Sequence, residues 1–401
     1  MRSMPAETFV PLGFRFGAVA AGIKHRDRLD LAMAEAPQGA AAAALFTTNR
    51  VKAAPLIIDV RNLRKSAAKM RAVLVNSGNA NCATGKDGLR VCEQICSRAA
   101  KLLGCQDSEL LPSSTGVIGM ALRAERVVAA LPQLTSSLAH SVAAINDFAR
   151  AIMTTDTRPK IASAQFQSRP KKVTLVGIAK GAGMIHPNMA TMLAYVFTDI
   201  RATPRQLREH LTNACRNSFN AISVDGDTST NDTLTLFASG ASGVKLTGRS
   251  EDAFQSALQK ICQSLAEQIV RDGEGIQHVI RLGIERARNE REARHIANTI
   301  ATSLLVKTAW AGADPNWGRI LAAVGRSGID LNPARIDIWF GPQQVCRNGT
   351  AVGFEEKAAH RYMSLPVYEI RVSLGRGRAQ ASLLTNDLTS EYVRINADYR
   401  T

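Results

Sequence analysis

Apolar positions along the chain alternate between two spacings. Over residues 88–103, Val91, Ile95, Ala99 and Leu102 fall on one helical face, with Asp87 as the expected N-cap. The same spacing predicts helices near 122–130 and 140–153, over 204–218 and 251–271, and over 291–307 as one element. Compact apolar runs predict strands at 72–76, 173–178, 192–197, 234–238, 275–283, 369–374 and 379–384. Residues 43–60 read as extended around Thr47–Arg50, and 112–119 as a polar, glycine-containing loop. Neither a repeat nor a low-complexity linker divides the text. The expectation is an α/β protein with mixed β-sheets and long helices.

Composition narrows this picture. With 45% hydrophobic and 21% charged residues over 401 positions, the chain has the material for a large core and is neither fibrous nor disordered. The net charge of +16 makes polyanions candidate partners, but the excess is diffuse: 25 basic and 12 acidic residues up to position 190, then 25 and 22. Aromatic residues make up only 5%, so a nucleic-acid surface is not expected. Seven scattered cysteines lack metal-ligand spacing and suggest thiols in a reducing compartment. The alanine-rich run 39–46 is too short to span a bilayer, which gives the expectation of a cytoplasmic protein without a membrane partner.

Candidate chemistry concentrates in Lys180-Gly-Ala-Gly-Met-Ile-His-Pro-Asn-Met-Ala-Thr191-Met-Leu. An internal Thr191 has no evident base, since spacing alone does not bring His186 to it. Were the Ala190–Thr191 bond cut, Thr191 would carry an α-amino group beside its own hydroxyl, the pairing used by N-terminal threonine nucleophiles. A threonine at the start of a strand is equally a simple β-former. Asp225, Asp227 and Asp232 lack the calcium-loop pattern, and the glycines after Lys180 lack a Walker ending, so neither metal nor a nucleotide phosphate is expected there.

That run, taken with Val75-Asn-Ser-Gly-Asn-Ala-Asn81, Ser114-Thr-Gly-Val-Ile-Gly119, Ser223-Val-Asp-Gly-Asp-Thr-Ser-Thr-Asn-Asp-Thr233, Asp272-Gly-Glu-Gly275, Asp314-Pro-Asn-Trp-Gly-Arg-Ile320 and the end from Asp387 to Thr401, resembles the glutamate N-acetyltransferase family, also called ornithine acetyltransferases. The blocks occur in the family's order and span nearly the whole chain. The resemblance implies an N-terminal-nucleophile-like aminopeptidase fold and self-cleavage into an α chain, 1–190, and a β chain, 191–401, intertwined as an α2β2 heterotetramer. It implies Thr191 as nucleophile, Thr115 and Gly116 as oxyanion donors, and Thr154, Lys180, Thr191, Glu274, Asn396 and Thr401 as substrate contacts.

The reaction so implied is ping-pong transfer of acetyl from N2-acetyl-L-ornithine to L-glutamate in arginine biosynthesis. No cofactor is expected to be tightly bound. Acetyl-CoA is a further co-substrate in some members, and no motif in the chain decides between donor ranges; the bifunctional form is the one expected here, with a monofunctional, acetylornithine-dependent enzyme as the alternative. Two other classes stand beside it: an autoprocessed aminopeptidase or amidase, marked by free acetate formed without glutamate, and a basic scaffold, marked by salt-sensitive nucleic-acid binding without processing.

Overall fold

A computed structural model describes residues 7–23, 27–168, 170–186 and 192–398. Ala190, Thr191 and Thr401 lie outside the described residues. Two mixed sheets organise the rest. The larger, with eight strands among the described residues, runs Leu110–Ser114, Lys69–Asn76, Leu31–Phe46, Thr233–Ala238, Leu193–Thr198, Lys171–Lys180 and Lys160–Ser168, with Arg15–Val19 paired to Leu31–Phe46. The smaller runs Thr350–Ala351, Gln343–Arg347, Asp337–Phe340, Val367–Ser373, Val279–Ala287 and Ala379–Asn386.

Leu31–Phe46 joins the two halves of the larger sheet. Its first residues pair with Lys69–Asn76, and residues 41–46 pair with Thr233–Ala238; the register shifts between Glu35 and Ala40. Leu193–Thr198 runs parallel to Thr233–Ala238 and antiparallel to Lys171–Lys180, so Lys180, Leu193 and Thr233 share one register row. The parallel pair needs a crossover, and the helix Pro204–Arg216 supplies it, opened by a reciprocal cap between Thr203 and Gln206. At the far side, Asn76 and Ser114 close the parallel pair Lys69–Asn76 and Leu110–Ser114, and the chain then turns into Thr115 and Gly116.

The long helix Arg249–Val270 buries Phe254, Leu258, Ile261 and Leu265 in the core shared with the larger sheet and ends just before Asp272 and Glu274. Phe14, Phe16, Phe148, Tyr195, Phe197 and Phe237 fill another part of that core, with Phe16 edge-on to Phe197 at 5.0 Å between ring centres. None of the seven cysteines is in a disulfide. No described helix is long and apolar enough to cross a membrane.

Several local expectations are corrected. The helix Gly85–Leu103 starts at Thr84, and Asp87 sits in its first turn beside Arg90. Residues 54–60 are helical, within Ala54–Lys65, because Pro55 presets the first turn. The expected helix 291–307 is two, Glu290–Ala301 and Leu304–Ala311. Thr302 turns its hydroxyl back on the Asn298 carbonyl (2.8 Å) and Ser303 is extended, which breaks the run. The strand expected from 275 begins at Val279, because Gly275 takes φ +65° in a turn.

Candidate active site

A cavity of about 220 Å³ opens where the register row of Lys180 and Leu193 meets the turn after Ser114. Thr115, Gly116, Thr154, Lys180, Glu274 and Asn396 all line it. Six expected site residues from five separate stretches of sequence therefore converge. Thr191 and Ala190 are outside the described residues, as is Thr401, but the strand Leu193–Thr198 begins two residues after Thr191 and pairs Leu193 with Lys180 of the cavity lining.

The turn carrying Thr115 and Gly116 is built for close approach. Gly116 has φ +132°, and a Cβ there would meet the Gly78 carbonyl carbon at 2.4 Å and the Asn79 nitrogen at 2.6 Å. Only glycine fits both the dihedral and the space. The Thr115 N–H is taken by the Asn76 carbonyl (3.0 Å), whereas the Thr115 hydroxyl and the Gly116 N–H donate to no described residue. Two uncommitted donors on adjacent residues, lining a cavity, are the kind of groups that could stabilise a developing oxyanion.

Lys180, 4% exposed, donates to the Thr154 hydroxyl at 3.2 Å. Burial pulls its ammonium below the ordinary value, with Asp156 opposing. Asp156 is held in turn by Lys160 (2.5 Å), the Gly181 N–H (2.6 Å) and the Thr154 N–H (3.0 Å). Burial would raise its carboxyl, but Lys160, Lys180 and these hydrogen bonds hold it below the usual range. Lys160 is fully buried and also reaches Asp272 (2.6 Å), which accepts from the Thr157 N–H (3.1 Å). This buried set fixes the Thr154 loop, the end of the Lys180 strand and the Asp272 turn to one another.

Glu274, two residues after Asp272, accepts from Asn396 Nδ2 at 2.8 Å. Gly183 makes room for it: a Cβ there would stand 2.5 Å from Glu274 Oε2. Asn396 arrives on the helix Ser390–Asp398, which is docked by Thr389 Oγ1 to the Gly275 carbonyl (2.5 Å) and by Tyr392 Oη to Asp225 (3.3 Å). The cavity thus brings together a cation, Lys180, a carboxylate, Glu274, and the Thr115 hydroxyl and Gly116 N–H, a set of groups complementary to an amino acid carrying both charges.

Residues absent from the expected list also shape the site. Asn231 donates to the carbonyls of Ala80 (2.7 Å) and Ser114 (2.8 Å), tying the 223–233 loop to the Thr115–Gly116 turn. Asp225 accepts from the Met184 and Ile185 N–H groups, and Asp232 from that of Met192. The block at 223–233 flagged this loop, but its contacts were not legible. Asp272 opens the Asp272–Gly275 block, but its pairing with Lys160 had no sequence signal, and Lys160 itself reads as an isolated lysine. His186 bonds Ser223 Oγ (3.2 Å), and burial lowers its imidazole, in keeping with a packing role. The Asp314–Gly318 segment lies elsewhere, with His360 and Arg361 on a separate groove of about 910 Å³ that contains none of the expected site residues.

The profile of the ArgJ family matches residues 15–401. The chain is 47% identical over 394 residues to an arginine biosynthesis bifunctional protein ArgJ of Methylococcus capsulatus, covering 97% of this chain and 95% of the relative. It is 44% identical over 393 residues to the protein of that name from Geobacter sulfurreducens, covering 97% and 99%. A solved structure of the Bacillus halodurans arginine biosynthesis bifunctional protein is 41% identical, with a TM-score of 0.49, over 51% of this chain and 98% of that one.

Proposed function

The chain belongs to the ArgJ family, and from that premise we propose that it moves an acetyl group from N2-acetyl-L-ornithine to L-glutamate through an ester on Thr191. The observation that carries this reading is the convergence of Thr115, Gly116, Lys180, Glu274 and Asn396 on one small cavity beside the strand that follows Thr191.

The chain first cuts its own Ala190–Thr191 bond, giving chains 1–190 and 191–401 and freeing the α-amino group of Thr191. The hydrogen-bonded ladder between Lys171–Lys180 and Leu193–Thr198 spans that bond and supports products that stay together. The α-amine takes the Thr191 hydroxyl proton as the oxygen attacks the acetyl carbonyl of acetylornithine. Negative charge on the carbonyl oxygen is met by the Thr115 hydroxyl and the Gly116 N–H. The C–N bond then breaks, the leaving nitrogen takes the proton, and ornithine departs. Glutamate enters the same cavity, its amine attacks the ester, and N-acetylglutamate leaves as the Thr191 hydroxyl is restored. Lys180 binds the α-carboxylate common to both substrates, while Glu274, held by Asn396, receives ammonium groups. Thr154 orients Lys180, and Thr401 completes the substrate contacts.

Acetyl-CoA serves as a second acetyl donor for the same ester, in line with the word bifunctional in the relatives' names. The mature enzyme is an α2β2 heterotetramer in the cytoplasm. Purified enzyme supplied with glutamate and each donor separately tests the reading. Stoichiometric N-acetylglutamate from acetylornithine is expected, and from acetyl-CoA as well. Free acetate released without glutamate would overturn transfer in favour of hydrolysis.

A further inference from the structure

The chain on either side of residues 186–191 is held by one loop, 223–233, in the same way at both ends. Before the segment, Ile185 gives its N–H to Asp225 Oδ1 (2.9 Å), and its carbonyl accepts from the Val224 N–H (2.8 Å). The Met184 N–H goes to the other oxygen, Oδ2 (2.5 Å). After the segment, Met192 gives its N–H to Asp232 Oδ1 (3.0 Å), and its carbonyl accepts from the Thr233 N–H (3.0 Å). Ile185 and Met192 are therefore each fixed at donor and acceptor, and in both cases the side-chain acceptor is a carboxylate.

These carboxylates are costly choices for packing alone. Asp232 is 1% exposed, and its Oδ2 has no hydrogen-bond partner among the described residues. Met184 is held at φ +59°, a left-handed conformation unusual for a side chain of its kind. The loop that carries both acids is itself tied to the oxyanion turn through Asn231, which spans the Ala80 and Ser114 carbonyls. The backbone at both ends of 186–191 is thus registered against Thr115 and Gly116 by a short chain of hydrogen bonds.

We infer that Asp225 and Asp232 are positioning residues for self-cleavage, holding the backbone at both ends of the scissile segment in register with the oxyanion donors. The inference rests on the Ala190–Thr191 cleavage proposed above. The two acids differ in how they hold. Asp232 uses one oxygen on one N–H, which the amide oxygen of asparagine can replace. Asp225 uses both oxygens on consecutive N–H groups, so asparagine must turn an NH2 toward one of them.

The test is the rate at which freshly synthesised full-length chain yields the 1–190 and 191–401 fragments, followed by intact-mass spectrometry. Asp232→Ala and Asp225→Asn should each slow cleavage by about tenfold to 10²-fold, the scale of an ångström-level misplacement. Asp232→Asn should cleave within about threefold of the unaltered chain. The same substitutions in a Thr191→Ala chain, which does not cut, give a melting temperature that reports folding separately. Opposite responses of the two Asp→Asn variants are the signature that a purely structural role would not produce. If the unaltered chain cuts and Asp232→Ala and Asp225→Asn cut equally fast, or Asp232→Asn is as slow as Asp225→Asn, the positioning role is overturned while self-cleavage stands. If the unaltered chain stays whole yet transfers acetyl, self-cleavage falls, and this inference with it.

Discussion

Gly116→Ala keeps the proposed N–H donor and moves only its position. The added Cβ would stand 2.4 Å from the Gly78 carbonyl carbon, against 3.4 Å for ordinary contact, and both partners are backbone. The turn must therefore open by about 1.0 Å, the difference between those distances. Holding alanine at φ +132° adds a strain of about 1 to 3 kcal/mol. Overpacking adds about 1 to 3 kcal/mol more. The total, about 2 to 6 kcal/mol, lowers the melting temperature measurably but leaves room for a folded protein. A donor displaced by an ångström should cost about 10²-fold in kcat, approaching 10³-fold if contact with the oxyanion is lost. KM should stay within about threefold, a scale set by leaving ground-state contacts intact, because Lys180 and Glu274 are untouched. The assay is steady-state acetyl transfer from acetylornithine to glutamate, normalised to cleaved chain so that slower processing is not counted as slower turnover. Thr115→Val, which removes the second donor without moving backbone, should match that kcat loss. A Gly116→Ala enzyme with kcat within about threefold of the unaltered protein, well inside the loss expected for a missing oxyanion donor, would refute the assignment of this turn.

Lys180→Met keeps the buried stem and removes the charge; Asp156 retains Lys160 at 2.5 Å, so the fold should hold while KM rises about tenfold or more for both substrates, as initial rates over a range of each will show. Gly183→Ala should push the Glu274 carboxylate by about 0.9 Å, from 2.5 Å to ordinary contact at 3.4 Å, and weaken both substrates with little loss of melting temperature, whereas unchanged kcat/KM for both would remove Glu274 from the site. Burial, helped by the Asp227 charge and opposed by the N–H groups of Met184, Asp227 and Ile185, raises the Asp225 carboxyl to about 6, with Lys307 and Tyr392 nearby. Its folded value lies above the unfolded one, so the folded protein keeps a proton that the unfolded chain has already lost, and stability falls as pH rises from about 4 to about 6, by roughly 2 to 3 kcal/mol. Urea unfolding at several pH values should show that slope flattened in Asp225→Asn, and an identical slope would contradict the assignment.

The alternation of helix and strand was legible because most elements bury one face, as in Gly85–Leu103 and Pro204–Arg216. Leu31–Phe46 was largely hidden. It holds eight alanines, weak strand formers, and includes Pro37 and Gly39 at its register shift, so neither alternation nor β-branching announces it. The pocket followed from ordered blocks, since no periodicity relates Thr115 to Lys180 or Asn396; only the strand pairing and the docked terminal helix bring them together. Lys160 was invisible for a different reason. A lone lysine reads as solvated surface, and its burial between Asp156 and Asp272 depends on a partner 112 positions away.

The claim that Thr191 carries the acetyl group is tested most directly by acid-quench mass spectrometry after brief exposure of the cleaved enzyme to acetylornithine without glutamate. An added mass of about 42 Da, the acetyl group of a covalent ester intermediate, is predicted on the peptide that begins at Thr191. Adding glutamate should discharge it, and Thr191→Ala should never acquire it. An acetyl adduct on another residue, together with continued turnover in Thr191→Ala, would contradict the account.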